Sequence, residues 1–357
     1  MLLGSALPFA QAEPLGDAVE AALNYHPSVE AALANRNALK EESGEKESDL
    51  YPRLSVSGTG GREFSDNSTS RGLSVTRGTG YSWLWEGNVT ASQLIFDGAE
   101  TWKRADAADA RRDSANFNIV DVREDLALRT VLAYLDVMRT NEALGRLRAH
   151  AQIIDDYIGR IEKMVKAGAA DKSMAVQAKD VRAQLQSSLS NMEGQMKSSN
   201  AAYMDLTGHA PGDQMEKPVP RIDLIDASAD GAVTYADTNH PTIRAAMMTE
   251  EASGLDASAE KAAWFPDVTG EVSYLKRDLD DVIGGEMRDA KAVVRMNWSY
   301  AVGGAQQARV RKTLHRREES HAKLEEMRRR LAKEIQVAYS DRDTSREQVA
   351  VQKDRVG

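Results

Sequence analysis

The sequence predicts an α+β membrane protein in which long antiparallel α-helical hairpins accompany four β-strands. Three observations lead to this fold class. The chain repeats itself once, each repeat holds a pair of stretches that alternate apolar and polar residues, and each pair precedes a long segment with helical periodicity. No proline occurs between Pro52 and Pro211, so a helical hairpin can occupy most of that interval.

Composition restricts the classes to which the chain can belong. Of its 357 residues, 28% are charged and only 6% are aromatic, which favours long, narrow helices over a wide globular core. The net charge of −9 disfavours a nucleic-acid binder. The absence of cysteine removes disulfides, thiolate metal sites and cysteine nucleophiles. No run of about 18 apolar residues is present, so no transmembrane helix is predicted.

Residues 1–12 are predicted to be the remnant of a secretory signal peptide. Small apolar residues lead to Ala10-Gln11-Ala12, which matches the A-x-A pattern of a signal-peptidase cleavage site. The positively charged region with which such a leader starts is missing from this sequence. The alternative is a frayed N-terminus with no leader function.

The repeat is visible as matching segments in the same order. HPSVEAALANRN at 26–37 matches HPTIRAAMMTEE at 240–251, and Tyr51-Pro52 matches Phe265-Pro266 at the same offset. Proline disfavours the helical conformation of the residue before it, so each aromatic-proline pair is a predicted helix-to-strand transition. The predicted domains are repeat one at 13–208, a proline-containing linker at 209–238, and repeat two at 239–357, which is C-terminally incomplete because its return helix would follow residue 357.

Four strands and a helical hairpin are predicted within these repeats. The strands lie at about 54–64 and 81–96 in repeat one and at about 268–277 and 291–301 in repeat two. Helical segments lie at about 28–50, at 100–206 as an antiparallel hairpin, at 242–263, and at 305–357.

The alternation within the strands is typical of a membrane β-barrel, because the polar face is too polar for a sandwich core. We predict that the following residues face lipid: Trp83, Trp85, Val89, Val294, Met296 and Trp298. We predict that the following face the lumen: Glu86, Asn88, Thr90, Arg295 and Asn297.

Each second strand passes into a long helix through glycine, and we call these two points the seams. The first seam is Phe96-Asp97-Gly98, in which aspartate and glycine permit a tight turn. The second keeps Gly303-Gly304 but has Ala301-Val302 in place of the Phe-Asp pair. The first long helix is predicted to end at KAGAAD, residues 166–171, with Gly168 directly after its last turn.

The sequence carries no pattern of a catalytic, cofactor-binding or metal site. None of the six histidines lies in an H-E-x-x-H or similar spacing. The DLDD run at 278–281 lacks the closing glutamate of a calcium loop. Mixed charges at 309–326 favour a solvated helix face over a nucleic-acid surface. We therefore predict no enzymatic activity and no cofactor.

The order and duplication of these features resemble the TolC-like outer-membrane efflux and secretion channels. The aromatic-proline pairs, the first seam and Leu206-Thr207-Gly208 at the end of the return helix carry the resemblance, which covers nearly the whole chain after residue 13. It implies a homotrimer in the bacterial outer membrane. Each subunit would give four strands to one transmembrane β-barrel, and the helices would continue as a tube through the periplasm.

The resemblance also implies partners. The helical tips would meet a periplasmic adaptor (membrane fusion) protein and an inner-membrane ABC transporter or other pump, while the barrel would contact outer-membrane lipid. Gly168 and Asp171 would lie at the adaptor-facing tip. Asp171 is either an inward-facing carboxylate or, as its place before a helix favours, a solvated residue at a helix start.

The predicted function is therefore a passive trimeric duct of a tripartite export system. The stretch GGREFSDNSTSRG at 60–72 looks like the type I protein secretion subgroup. Two alternatives stay open: the outer-membrane factor of a multidrug efflux pump, and, from another class, a non-membrane coiled-coil scaffold. Pore-gating residues are not assigned, because in the family they lie near the second helical tip.

Overall fold

The computed structural model describes residues 12–65, 80–279, 285–300 and 302–356. Its helices are α1 (Leu15–Tyr25), α2 (Pro27–Ser48), α3 (Glu100–Lys166), α4 (Lys172–Thr207), α5 (Ala229–Asn239), α6 (Pro241–Ala262) and α7 (Ala305–Val356), with a short 3-10 helix at Ile222–Leu224. Its strands are β1 (Arg53–Ser65), β2 (Gly80–Phe96), β3 (Asp267–Leu279) and β4 (Met287–Asn297). A mostly helical chain with four strands confirms the predicted α+β class.

The chain forms two compact units. The first unit is built from residues up to Ala34 and from Asn118–Asp226, and the second from Asn35–Phe117 and from Ala227 onward. These units do not coincide with the two predicted repeats. The reason is that β2 pairs with β3, so strands from both repeats belong to one sheet in the second unit.

The sheet of the second unit is antiparallel throughout, in the order β1-β2-β3-β4. The strand β4 begins and ends four residues earlier than the predicted 291–301. Its pairing explains the difference, because Asp267, the first residue of β3, lies opposite Asn297 and leaves later residues without a partner strand. A bulge between Leu94 and Phe96 interrupts the register of β2 with β3.

Close helix packing through alanine completes the second unit. Alanines of the N-terminal part of α3 and of the C-terminal half of α6 are buried, which lets the two helices approach closely. Ser114 Oγ donates to the carbonyl oxygen of Ala245 (2.8 Å), and Arg111 pairs with Asp256. The helix α5 lies at the end of the predicted linker 209–238 and extends one residue beyond it. It was not predicted because it is short and contains Gly231, which lowers helix propensity.

The helix α1 lies in the core of the first unit, although it is not among the predicted helical segments. Its small residues Ala18 and Ala22 are fully buried. Ala18 packs with Tyr134 of α3 and Tyr203 of α4, and Ala22 belongs to a second cluster with Leu126. Its apolar residues recur at the i, i+3, i+4, i+7 and i+8 spacing of an amphipathic helix, from Leu15 through Ala18, Val19 and Ala22 to Leu23. The sequence therefore did contain the signal for this helix, and burial against α3 and α4 agrees with it.

The helices α3 and α4 form the predicted antiparallel hairpin of the first unit. Ion pairs join them, Arg148 to Glu193 at 2.8 Å and Arg182 to Asp155 at 3.0 Å. Both pairs are about half exposed, so each contributes well under about 1 kcal/mol. Their contribution is chiefly to the alignment of the two helices.

Two histidines cap helices in the same way. The Nδ1 atom of His26 accepts the Ser28 N–H (3.2 Å) at the start of α2, and the Nδ1 atom of His240 accepts the Thr242 N–H (3.3 Å) at the start of α6. Each histidine precedes a proline, which is favourable in the first helical turn. The imidazole nitrogen thus accepts the hydrogen bond that an asparagine side-chain oxygen accepts at a helix N-cap.

We expect His240→Ala to lower the free energy of unfolding by about 1 kcal/mol, because the Thr242 N–H loses its acceptor. His240→Asn should keep most of this stability, since its side-chain oxygen can accept the same bond. Denaturant titration followed by circular dichroism measures both. An equal loss in the two variants would contradict the capping role.

Candidate functional site

The antiparallel register sorts the strand side chains onto two faces. Val89 lies opposite Val56 on β1 and Tyr274 on β3, and Tyr274 lies opposite Ala290 on β4. Counting in steps of two from this row gives one face, which we call the apolar face. Charged residues such as Lys276 and Arg288 share this face near the ends of β3 and β4. Its large exposed hydrophobic side chains include Leu54, Val56, Phe64, Tyr81, Trp83, Trp85, Val89, Val272, Tyr274, Val294 and Met296.

The five strand residues predicted to face lipid all lie on this apolar face. They are exposed in the single chain; Val294 reaches 72% and Trp85 58%. The sixth, Trp298, follows the end of β4, and its Nε1 donates to the carbonyl oxygen of Trp264 (3.3 Å). A contiguous exposed apolar surface of this kind indicates contact with lipid or with another protein.

The opposite face is mainly polar, and several of its charges are paired across strands. Glu86, Asn88 and Thr90 of β2 lie on it, as do Arg295 and Asn297 of β4. These are the five residues predicted to face the lumen. Arg295 bonds Glu271 of the adjacent strand at 3.1 Å.

Sequence reasoning missed the residue that joins three strands on this polar face. Arg277 of β3 pairs with Glu63 of β1, and its Nε lies 3.9 Å from a carboxylate oxygen of Glu86 on β2. Continued along the strand, the alternation of Thr269, Glu271 and Ser273 puts Arg277 among the polar positions. What the pattern did not reveal was the cross-strand register that brings both glutamates to it.

Aromatic residues gather at both ends of the apolar face. At one end, Phe64 and Tyr81 lie with ring centres 5.2 Å apart, and the Arg62 guanidinium lies over the Tyr81 ring at 5.7 Å. At the other end, near both seams, the exposed aromatics are Tyr51, Phe96, Trp102, Trp264, Phe265, Trp298 and Tyr300. The apolar face therefore has aromatic side chains at each of its two ends.

At the first seam, Asp97 and Gly98 turn the chain from β2 into α3. Asp97 is buried, and its Oδ2 accepts the Thr101 N–H (2.7 Å), so it caps the helix. Gly98 has a φ of +70°, and the next residue, Ala99, has a φ of +68°. A Cβ on Gly98 would lie 2.7 Å from the Phe265 ring and 2.8 Å from a backbone oxygen. Phe96 meets the same ring edge-on at 6.2 Å.

The second seam makes the turn with less crowding. Gly304 has a φ of +77°, and its carbonyl oxygen accepts the Ala308 N–H (3.0 Å) at the start of α7. Gly303 has open space around it. Among the described residues of this seam, no aspartate caps the helix. The Gln307 side chain donates to the Tyr300 hydroxyl (3.1 Å) and so links the first turn of α7 to the segment after β4.

The two predicted helix-to-strand transitions share one geometry. The Tyr51 N–H donates to the Ser48 carbonyl (3.1 Å), and the Phe265 N–H donates to the Ala262 carbonyl (2.9 Å). In each case the last hydrogen bond of the helix joins residues three apart, as in a 3-10 turn. Pro52 or Pro266 follows and prevents another helical turn.

Gly168 and Asp171 end one helix and begin the next at the tip of the hairpin. Gly168 has a φ of +76°, and the Ala169 N–H donates to the Met164 carbonyl (2.9 Å), the bond of a Schellman cap. Asp171 is exposed, and its Oδ1 accepts the Ser173 N–H (2.8 Å). This bond holds the pKa of Asp171 below its usual value. In the single chain, Asp171 is thus a solvated helix cap.

Neither a metal cluster nor a membrane-spanning helix is present among the described residues. The described ranges contain no group of three or more His, Cys, Asp or Glu that could hold a metal ion. Within the same ranges, no helix is long and apolar enough to cross a membrane.

A model of the family described as outer membrane efflux protein matches residues 18–209 and 233–357. The chain belongs to the outer membrane efflux protein family. This membership confirms the predicted resemblance and the predicted location in the bacterial outer membrane. It also contradicts the alternative of a non-membrane coiled-coil scaffold.

Individual members of the family are distant relatives. The outer membrane efflux protein BepC of Brucella suis is 21% identical over 284 residues, which are 79% of this chain and 61% of that protein. The chain therefore spans less than two thirds of the length of this relative.

Solved structures share the fold of this chain. A membrane protein from Pseudomonas aeruginosa has a TM-score of 0.82 at 18% identity and covers 94% of this chain and 78% of its own. The outer membrane protein VceC of Vibrio cholerae has a TM-score of 0.76 at 18% identity and covers 92% of this chain and 79% of its own.

The two seams supply a matched test of the turn. We expect Gly98→Ala to lower the free energy of unfolding by about 2 kcal/mol or more, since a left-handed residue with a Cβ costs about 1–2 kcal/mol and the added atom also overlaps its neighbours. Gly303→Ala meets open space and should change stability by less than about 0.5 kcal/mol. Chemical denaturation of the two variants measures the difference, and similar values would refute the role of Gly98.

Proposed function

We propose that the protein is one subunit of a homotrimeric duct that crosses the outer membrane and extends into the periplasm. The observation that carries this proposal is the division of one sheet into an apolar face with rings at both ends and a polar face with paired charges. An apolar band between aromatic girdles is characteristic of strands in contact with lipid, and alternate polar positions are characteristic of a barrel interior.

The dimensions of the apolar face support this assignment. From Leu54 to Phe64 the strand β1 advances about 33 Å at about 3.3 Å per residue. A tilt of about 40° reduces this to a height of about 25 Å, which is the height of the apolar band in outer-membrane barrels. The aromatic residues at the two ends would then lie at the two membrane interfaces.

The edges of the sheet support a trimer. Among the described residues, β1 and β4 each pair with another strand on one side only. Unpaired backbone groups are costly in lipid, so a membrane sheet has to close on itself. Four strands are too few, since the smallest such barrels have about eight. Three copies, with β4 of one beside β1 of the next, would remove every edge.

The helices would carry the duct onward to its partners. Channels of this family form trimers and work with periplasmic adaptors and inner-membrane pumps. We assign the hairpin tip at Gly168 and Asp171 to the adaptor contact, because it is exposed and has rigid caps on both sides. The energy for transport would come from the pump, and the duct itself would be passive and without a cofactor.

For the cargo we propose type I protein secretion with an ABC transporter, which rests on the likeness of GGREFSDNSTSRG at 60–72 to that subgroup. Residues 66–72 of this stretch lie outside the described residues. Multidrug efflux is the second candidate, and the relative BepC, named an efflux protein, favours it. The polar face suits either cargo because it offers both signs of charge.

Neighbouring residues on opposite faces provide a test of the barrel. We expect Val89→Arg to reduce heat-resistant trimers in outer membranes strongly, because an arginine near the middle of a lipid-facing surface costs about 2–4 kcal/mol. Thr90→Arg, on the polar face, should leave trimers near the wild-type amount. Denaturing gels of unheated outer-membrane fractions measure the amount of trimer for both variants.

The two variants have the same added side chain and adjacent positions, so expression and general folding defects affect them alike. Equal trimer yields for Val89→Arg and Thr90→Arg would contradict a lipid-facing role of the apolar face.

Disruption of the gene distinguishes the two cargo classes. Type I secretion predicts that at least one large protein disappears from the culture medium while drug susceptibility is unchanged. Multidrug efflux predicts the reverse, with lower inhibitory concentrations and an unchanged set of secreted proteins. Complementation with the intact gene should restore the affected property.

A further inference from the structure

All four polar atoms of Glu13 are bonded within the first unit. Its main chain forms a parallel bridge with Met215. The Glu13 N–H donates to the Gln214 carbonyl (3.0 Å), and the Glu216 N–H donates to the Glu13 carbonyl (3.0 Å). The Gly212 N–H donates to one carboxylate oxygen of Glu13 at 2.9 Å.

Two buried tyrosines complete the bonds to Glu13. The Tyr203 hydroxyl donates to the other carboxylate oxygen. The Tyr134 hydroxyl lies 2.7 Å from the carbonyl oxygens of both Glu13 and Glu216 and donates its one proton to them in turn. Burial, followed by the nearby Glu13 carboxylate, raises the pKa of both tyrosines, so both hydroxyls keep their protons. We call this set of bonds the Glu13 clamp.

The Glu13 clamp fastens the start of α1. Tyr134 and Tyr203 also form the apolar cluster on which Ala18 is buried. The helix α1 begins only two residues after Glu13, so release of Glu13 would free the end of the helix nearest the cluster. His209, which meets the Tyr203 ring edge-on, lies 3.8 Å from the Glu13 carboxylate and adds a further polar neighbour.

The clamp begins at the residue that follows the A-x-A pattern. Ala12 is exposed, while the Glu13 side chain is only 16% exposed. Cleavage after Ala12 would keep every bond of the clamp. Cleavage one residue later would remove all of them, because Glu13 itself would be lost.

We propose that the Ala12–Glu13 peptide bond is a processing site and that Glu13, as the N-terminal residue of the mature protein, anchors α1. Hydrolysis adds one water across the bond. The leader leaves with a carboxylate on Ala12, and Glu13 gains an α-amino group that takes up a proton. The ammonium then donates to the Gln214 carbonyl from the position of the present N–H, and this bond is stronger because its donor is charged.

The first test is the N-terminus of protein isolated from outer membranes, read by intact mass and N-terminal sequencing. We expect Glu13 as the first residue. Ala12→Leu puts a large side chain where the cleavage pattern needs a small one, so this variant should retain the upstream residues. A mature protein that begins at another residue would overturn the processing site. So would normal cleavage of the Ala12→Leu variant.

The second test addresses the clamp separately from the processing. We expect Glu13→Ala to increase the rate of limited proteolysis within α1 at least tenfold. The variant lacks the charge-assisted bonds of the carboxylate, so local opening of the helix no longer has to break them. Glu20→Ala, an exposed glutamate of the same helix, is the matched control and should change the rate by less than about twofold.

Coupling to Tyr203 makes the second test specific. Tyr203→Phe should increase proteolysis by itself but add little to Glu13→Ala, since the shared bond is already lost. Full additivity of the two changes, or equal rates for Glu13→Ala and Glu20→Ala, would overturn the clamp. Neither test depends on the export duct, because both measure the chain itself.

Discussion

Hydrogen bonds across the antiparallel sheet determine the face on which every strand side chain lies. Because side chains alternate strictly, one row such as Val56, Val89 and Tyr274 sets the composition of both faces from end to end. A one-residue slip of any strand would exchange its two sets of side chains. The apolar surface, the paired charges and the aromatic ends all depend on this register.

The register also determines where the chain has to turn. The strand β2 ends beside the last turn of α6, so the turn that follows β2 must avoid both the Phe265 side chain and the Ala262 carbonyl. Glycine at 98 meets this demand, and Asp97 satisfies an N–H at the new helix start. The second seam has open space, so glycine is needed there for backbone conformation at Gly304 rather than for room.

Local patterns predicted the parts of the fold that depend on local physics. The phase of the strands and the glycine at each turn follow from alternation and from allowed backbone angles, and the sequence predicted both. The helix α1 has the apolar spacing of an amphipathic helix in its own sequence, so it was predictable in the same way. The Glu13 clamp was not, because it depends on contacts between residues far apart in the chain, such as Glu13 and Tyr203. The shift of β4 has the same origin, since its limits come from its partner β3.

The ion pairs of the polar face contribute to specificity more than to stability. Arg277, Glu63 and Glu86 are each partly exposed, and pairs of that kind are worth about 0–1 kcal/mol. A slip of β3 by one residue, however, would move Arg277 to the apolar face. In that position it would lose Glu63 and Glu86, which stay on the polar face. The three-strand charge cluster thus favours the observed register near the end of the sheet where β1 and β3 finish and β4 begins.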